Sequence, residues 1–295
     1  MGDRALIELR RGPFRLTLCP ALGGAITAFR RGGLDVMRPA GPAFQGTGEP
    51  RAASSFPLVP FSGRVADARF TFRGRTCRLS RNFPPEPHAI HGHGWQNPWR
   101  VGHANGEFAE LDFAHEVRGT PLRYRARQTF RLVEDGLVAR IGVTNAGTGP
   151  MPAGIGMHPY FVRTPGATLR TEVEHVWLAD ARNIPERRAP VPAEWDFTGA
   201  PRIASLRLDN GFGGWSGGAT IHWPESGLTL AIEADPVFRH LVVYVPPGQD
   251  FFCVEPVSNA NDGFNLFDRG VEGTGVRVLE PGESLEGEVR FRVTV

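Results

Sequence analysis

Residues 250–265 read D-F-F-C-V-E-P-V-S-N-A-N-D-G-F-N. The run from Phe251 to Val254 is continuously apolar, which is typical of a buried strand. Glu255 interrupts this run and Pro256 follows it, so we expect the strand to end here in a turn that aims the carboxylate. A carboxylate half out of water at a strand end has a raised pKa, which suits a general base. A rim glutamate that merely faces solvent is the alternative interpretation.

Outward from this stretch, alternating apolar residues predict strands along most of the chain. No window shows a convincing helical period of 3.6 residues. The predicted strands are a single strand at 230–245, two strands within 6–29, a hairpin at 70–79, a hairpin formed by 124–132 and 137–143, and a last strand at 289–295. Short strands at this spacing favour an all-β fold of packed antiparallel sheets with few or no helices.

Two stretches rich in proline and glycine, residues 38–50 and 184–201, are predicted to be long loops. Neither separates regions of different composition, and the chain has no internal repeat. We therefore expect a single domain over residues 1–295.

Composition excludes several functional classes. The formal charge of +2 comes from 33 basic and 31 acidic residues, which predicts neither a nucleic-acid partner nor an anionic membrane. All 33 basic residues are arginine, so lysine Schiff bases and lysine-containing phosphate loops are excluded. Three scattered cysteines and an N-terminus without an apolar segment predict a cytoplasmic protein with reduced thiols.

Three polar clusters remain as candidates for chemistry. They are P-F-S-G-R-V at 60–65 with Arg64, H-A-I-H-G-H-G-W at 88–95 with His91, and G-I-G-M-H-P-Y-F at 154–161 with His158. Each has a plainer interpretation, namely an exposed loop arginine or a hydrogen-bonded core histidine. Trp95 and Trp99 are predicted to lie in the core or in a cleft wall, where tryptophan suits the apolar face of a sugar.

A metal site is not expected from the histidine-rich cluster. The pattern His-x-x-His-x-His is followed by no acidic residue until Glu107, whereas a zinc site needs three or four protein ligands. No G-x-S-x-G motif indicates a serine nucleophile. An acid–base set remains, and it requires no metal and no cofactor.

Taken in order, these clusters and the E-P-V-S at 255–258 resemble the aldose 1-epimerase (galactose mutarotase) family. That family carries an arginine after a P-x-x-x turn, then an H-G dipeptide, an H-P-Y-F and an E-P-V-S, and the opening L-C-P-A-L-G-G-A-I is also similar. The similarity spans nearly the whole chain. It implies a β-supersandwich with an open cleft that binds a small-molecule sugar, an aldohexose.

The resemblance also implies roles for individual residues. Glu255 would be the general base on the C1 hydroxyl, and His158 the general acid on the ring oxygen. His91 would hydrogen-bond the reacting end of the sugar. Arg64 and Asp209 would bind sugar hydroxyls. The enzyme would thus be an isomerase that interconverts the α and β anomers of a free hexose.

Two departures from the family leave the sugar open. Gly63 stands where relatives often have asparagine, and Asn259 stands where they often have histidine. One alternative is a hexose-6-phosphate 1-epimerase, which needs an arginine cluster at the cleft mouth, with candidates Arg51, Arg81 and Arg100. A non-catalytic sugar-binding protein is the other main alternative, and a metal-dependent isomerase comes third.

Overall fold

The computed structural model describes residues 5–295, with every side chain in that range except that of Gln45. Residues 1–4, which belong to the N-terminal segment interpreted above, lie outside the described residues. The described residues contain two short helices, α1 (Pro42–Gly46) and α2 (Gly263–Asp268). Neither is long and apolar enough to cross a membrane.

Strands dominate the fold and are named here in chain order. They are β1 (Ile7–Arg11), β2 (Phe14–Cys19), β3 (Ala25–Arg31), β4 (Leu34–Asp35), β5 (Pro57–Leu58), β6 (Arg64–Val65), β7 (Arg69–Phe72), β8 (Arg75–Arg78), β9 (Ala89–Ile90), β10 (Arg100–Ala104), β11 (Phe108–Glu116), β12 (Arg123–Val133), β13 (Gly136–Asn145), β14 (Met151–Ala153), β15 (Gly156–Met157), β16 (Tyr160–Val162), β17 (Thr168–Thr171), β18 (His175–Ala179), β19 (Pro185–Ala189), β20 (Leu208–Gly213), β21 (Gly218–Trp223), β22 (Leu228–Ala234), β23 (His240–Val245), β24 (Phe251–Val257), β25 (Arg277–Leu279) and β26 (Ser284–Thr294). Short 3-10 turns cover Pro50–Ala52, Ala66–Ala68, Gly94–Gln96, Ala193–Trp195 and Ile203–Ser205.

Two eight-stranded antiparallel sheets form the body of the molecule. The back sheet has the order β10-β11-β12-β13-β26-β22-β21-β17. The front sheet has the order β19-β18-β20-β23-β24-β15-β5, and β16 also pairs with β24. A four-stranded sheet, β1 to β4, and three two-stranded ladders, β6-β9, β7-β8 and β14-β25, complete the set. The predicted all-β class is confirmed.

The core lies between the two large sheets. In β12 and β26, buried and exposed residues alternate along the strand, so one face is apolar and the other faces solvent. Phe130 and Phe291 of the back sheet share one contiguous buried cluster with Leu241 and Val254 of the front sheet. The sheets therefore pack face to face, as the alternation predicts.

Strand β24 lies inside the front sheet and is buried along nearly its whole length. Phe252 and Val254 contribute to the core between the sheets, whereas Cys253 belongs to a separate buried cluster on the opposite side. Because side chains alternate along a strand, Glu255 shares the side of Cys253. That side is the floor of the candidate site.

The expectation that the strand ends at Glu255 was wrong. Strand β24 continues to Val257, and the side chain of Glu255 is only 4% exposed rather than half out of water. Pro256 is tolerated because the neighbouring strands β15 and β16 leave a gap opposite it on that edge of β24. Strand β16 pairs as far as Cys253 and β15 pairs at Val257, so no continuous ladder is lost at the proline.

Three other boundaries differ from the prediction. The single strand expected at 230–245 is two strands, β22 and β23, in different sheets, because the chain turns at residues 235–238, where the Phe238 amide donates to the carbonyl of Asp235. Residues 6–29 contain three strand segments, because Gly12 adds a turn at positive φ. The predicted loop at 184–201 begins with the edge strand β19, and the one at 38–50 contains α1. The two hairpins and the last strand are confirmed.

Candidate active site

A cleft of about 190 Å³ opens over the front sheet. All five residues predicted to act on the sugar line it, and they come from five separate parts of the chain: Arg64, His91, His158, Asp209 and Glu255. Of the two tryptophans, Trp95 lines the cleft and Trp99 is buried in the core. The structure therefore brings the whole predicted set together.

Glu255 is held on the cleft floor by the central strand β24, where it pairs with Val242 of β23. Burial raises the pKa of its carboxyl well above the usual value, and the negative charge of Asp209 raises it further. The positive charge of Arg64 acts in the opposite direction. The raised pKa expected from the sequence is present, although full burial is its cause.

His158 approaches Glu255 from the interruption between β15 and β16. Its Nε2 atom lies 3.3 Å from Oε1 of Glu255. The imidazole stacks on Tyr160, with ring centroids 4.7 Å apart, and contacts Phe56 at 4.5 Å. Burial lowers the pKa of His158 to about 3. The two groups are thus fixed in contact, and burial favours the neutral form of each.

His91 presents a hydrogen-bond donor to the cleft. The backbone N–H of Gly63 donates to its Nδ1 at 3.2 Å, so Nδ1 is the acceptor and the ring proton lies on Nε2. Burial lowers the pKa of His91 well below its usual value, and the neighbouring His158 and the positive charge of Arg64 lower it further. A neutral imidazole with a fixed tautomer can donate to a sugar oxygen without competing for the proton of the acid–base pair.

Arg64 and Asp209 also line the cleft. The Nε atom of Arg64 donates to Oε1 of Glu86 at 2.6 Å, which leaves the other guanidinium nitrogens for a ligand. Asp209 is on β20, one strand beyond β23, and is exposed to water in the cleft although protein surrounds much of it. Burial raises the pKa of its carboxyl, the charge of Arg64 lowers it, and the charge of Glu86 raises it. A guanidinium and a carboxylate so placed suit sugar hydroxyls.

Three buried side chains could also donate to a metal ion. Cys253, His158 and Glu255 each place one donor atom within 4.8 Å of the others. Burial raises the pKa of the Cys253 thiol well above its usual value, which opposes the thiolate form that metals bind. The donor set is therefore chemically possible but disfavoured in its protonation state.

The arginines proposed for a phosphate site do not gather at the cleft. Arg51 lines it, but its Nε donates to Glu49 at 2.9 Å and its guanidinium stacks 4.2 Å from the ring centroid of Phe83. Arg100 lies on β10 of the back sheet and pairs with Asp112. Arg81 is exposed and is not among the residues that line the cleft.

Several lining residues were missed by sequence reasoning. The aromatic residues Phe56, Tyr160 and Trp177 form much of the wall, together with the amides Asn183 and Asn261. Tyr160 belongs to the H-P-Y-F segment and could have been found there. The others carry no local signal, because they reach the cleft only through long-range strand pairing.

The structure gives a physical reason for both departures from the family pattern. Gly63 has φ +69°, and a Cβ there would lie 2.6 Å from Oδ1 of Asn261, so the space is already filled. Asn259 is buried and hydrogen-bonds the backbone of Ser62 on both sides, its Oδ1 accepting at 3.0 Å and its Nδ2 donating at 3.2 Å. Both positions support the turn that carries Arg64.

Comparison with known proteins identifies the family of the chain. The family model described as aldose 1-epimerase matches residues 5–292. The uncharacterized protein YphB of Escherichia coli (strain K12) is 33% identical over 280 residues, which cover 92% of this chain and 93% of YphB. A crystal structure of a candidate aldose 1-epimerase from Escherichia coli K12 superposes with a TM-score of 0.89 at 32% identity, covering 98% of this chain and 99% of that one.

A more distant structure shares the fold. A galactose mutarotase-like protein from Clostridium acetobutylicum has a TM-score of 0.86 at 19% identity, with 98% of this chain and 95% of that chain covered. Antiparallel sheets of the same arrangement, four motifs in the same order and a family match over nearly the full length converge on one assignment. This chain is a member of the aldose 1-epimerase family.

Proposed function

We propose that the protein is an aldose 1-epimerase that interconverts the α and β anomers of a free hexose by general acid–base catalysis. The observation that carries the proposal is the 3.3 Å contact between His158 Nε2 and Glu255 Oε1, with both groups facing the cleft. Mutarotation needs one proton removed from the C1 hydroxyl and one delivered to the adjacent ring oxygen. Two titratable groups in contact, beside one cavity, match that requirement.

The two proton transfers can be followed atom by atom. Glu255 as carboxylate takes the proton of the C1 hydroxyl, and the C1–O1 bond becomes a carbonyl. The C1–O5 bond breaks with its electron pair on O5, which takes a proton from protonated His158. Rotation about C1–C2 presents the other face of the aldehyde, and the reverse transfers close the ring to the other anomer.

Burial makes the neutral pair the favoured state of these two groups. The neutral pair and the charged pair hold the same number of protons and differ only by a shift between Oε1 and Nε2. The neutral pair is also the state left after ring opening. Burial thus favours the protonation state of the open-chain complex, and His91 adds a neutral donor beside it.

The charge balance of the cleft supports an unphosphorylated sugar. The two arginines that line it are each paired with a carboxylate, Arg51 with Glu49 and Arg64 with Glu86. Asp209 and Glu255 add two further carboxyl groups. A dianionic phosphate needs arginines that are not already paired with carboxylates. Neutral sugar hydroxyls can accept hydrogen bonds from paired arginines equally well.

The test is NMR saturation exchange between anomeric protons over a panel of free and 6-phosphorylated hexoses. We expect exchange above the spontaneous rate for at least one free hexose and none for its 6-phosphate. Acceleration only for phosphorylated sugars would contradict the substrate class. Sugar binding without acceleration for any hexose would replace the proposal with the non-catalytic alternative.

A further inference from the structure

The segment that follows β24, residues 258–262, hydrogen-bonds the turn that carries Arg64, residues 62–66. We call these the polar segment and the arginine turn. Asn259 hydrogen-bonds both backbone groups of Ser62, and Oδ1 of Asn261 accepts from the Arg64 amide at 2.5 Å. The amide of Asp262 donates to the Arg64 carbonyl at 2.9 Å, and its Oδ1 accepts from the Ala66 amide at 2.9 Å. The backbone groups of every second residue of the arginine turn are therefore hydrogen-bonded to the polar segment. Most of these bonds come from side chains, whereas a neighbouring strand would supply backbone groups.

Two glycines make room for this contact. A Cβ at Gly154 would lie 2.0 Å from Oδ1 of Asn259, and a Cβ at Gly63 would lie 2.6 Å from Oδ1 of Asn261. Both asparagine side chains are therefore closely packed between backbone segments. The hydrogen bonds they make hold a single arrangement of the turn.

The contact extends to two groups that face the sugar. Arg64 is held directly through its amide. His91 is held through Gly63, whose N–H donates to Nδ1 at 3.2 Å and whose carbonyl accepts from the His91 amide at 2.8 Å. A shift of the arginine turn would therefore move the guanidinium and release the tautomer of His91.

Asn261 also joins the two walls of the cleft. Its Nδ2 donates to the carbonyl of Asn183 at 2.6 Å, and both residues line the cavity. The turn that contains Asn183 is itself ordered by Asp180, whose Oδ1 accepts from the amides of Arg182 at 2.8 Å and Ile184 at 2.9 Å. One side chain thus links the arginine turn to the turn that contains Asn183.

We propose that Asn259 and Asn261 are positioning residues that set sugar affinity, Asn261 through Arg64 and Asn259 through Gly63 and His91. This inference takes its ligand, a sugar, from the proposed function. Glu255 and His158 are held by β24 and by the break between β15 and β16, so loss of Asn261 acts on binding and leaves the proton transfers in place.

Asn261 is the position to vary, because it is half-buried whereas Asn259 is fully buried. We expect Asn261→Ala to raise KM for anomer exchange roughly 10-fold and to change kcat less than about twofold. In an Arg64→Ala background the same substitution should add less than about twofold, because its effect passes through Arg64. A further tenfold loss in that background would overturn the proposal, as would an unchanged KM in the single variant.

Asn145→Ala is the matched control for a merely structural role. Asn145 is buried at the end of β13, makes three side-chain hydrogen bonds to backbone groups and does not line the cleft. The Asn145→Ala variant should be less stable than wild type, with no change in KM. A KM increase in Asn145→Ala equal to that in Asn261→Ala would reduce the effect to general loosening and contradict the proposal.

A second readout needs no sugar, so failure of the proposed function and failure of this inference are distinguishable. Hydrogen exchange of the Arg64 amide should accelerate at least roughly 10-fold in Asn261→Ala, and the ¹⁵N signals of His91 should show loss of the single Nε2–H tautomer in Asn259→Ala. If wild type exchanges no anomers but these changes occur, the positioning stands and the substrate assignment falls. Unchanged exchange at Arg64 would overturn the positioning itself.

Discussion

At the scale of single residues, Glu255 and His158 respond oppositely to the same burial. Burial raises the pKa of the carboxyl well above its usual value and lowers the pKa of the imidazole to about 3. With their ordinary pKa values, the glutamate would be deprotonated while the histidine is still protonated only between about pH 4.3 and about pH 6.5. The shifted values instead let the pair hold one proton from the lowered pKa of His158, about 3, up to the raised pKa of Glu255.

The pH profile of the reaction should show this width. One proton on the pair is the active total, so activity falls as pH rises through the raised pKa of Glu255, where the pair loses that proton. It falls again at low pH as His158 gains a second one. We expect kcat for anomer exchange to stay level as pH falls through about 4.3, where an ordinary glutamate base would gain its proton, because the low-pH fall follows the pKa of His158 at about 3. A decline centred there would contradict the assignment.

Asp209 offers a check on the high-pH limb. Its negative charge is the second cause, after burial, that raises the pKa of Glu255. Asp209→Asn should therefore move the high-pH fall of kcat to lower pH, whatever it does to sugar binding.

At the scale of elements, strand β24 and the polar segment act together. The strand places Glu255, and the segment after it holds the turn that places Arg64. The packing against Asn259 is close at Gly154, where a Cβ would lie 2.0 Å from its amide oxygen. That contact involves a buried hydrogen-bonded side chain rather than the flexible end of a long one, so it cannot relax without breaking bonds to Ser62.

Gly154→Ala should lower the free energy of unfolding by ~1–3 kcal/mol because the added methyl overpacks this contact. Gly149→Ala is the matched control, since a Cβ at Gly149 meets nothing within 4 Å. Urea unfolding of both variants would measure the difference. Equal stability of the two variants would show that the polar segment shifts to accommodate the added methyl group, and would contradict its rigid packing.

At the scale of the whole molecule, the sequence was sufficient for the class of fold and for the five candidate residues that the structure brings to the cleft. Period-two alternation is local, so the hairpin of β12 and β13 and the last strand could be predicted from it. Arg64, His91, His158 and Glu255 lie in short motifs whose order along the chain could be read, although Asp209 has a weaker motif.

Contacts between distant segments could not be predicted in this way. The hydrogen bond from the Arg64 amide to Asn261 spans 197 residues, and nothing near either position indicates it. The burial of Glu255 was misjudged for the same reason. Its strand continues because β15 and β16 leave a gap opposite Pro256, and that gap depends on pairing with a segment about a hundred residues earlier.

The most direct test of the acid–base account is the anomer exchange rate of folded Glu255→Gln on the sugar that the wild type accelerates. Glutamine keeps the size of the side chain but cannot take the proton of the C1 hydroxyl. We expect kcat to fall roughly 10²-fold or more, whereas Glu286→Gln, on an exposed position of the back sheet, should match wild type. A folded Glu255→Gln protein that exchanges anomers at nearly the wild-type rate would contradict the account.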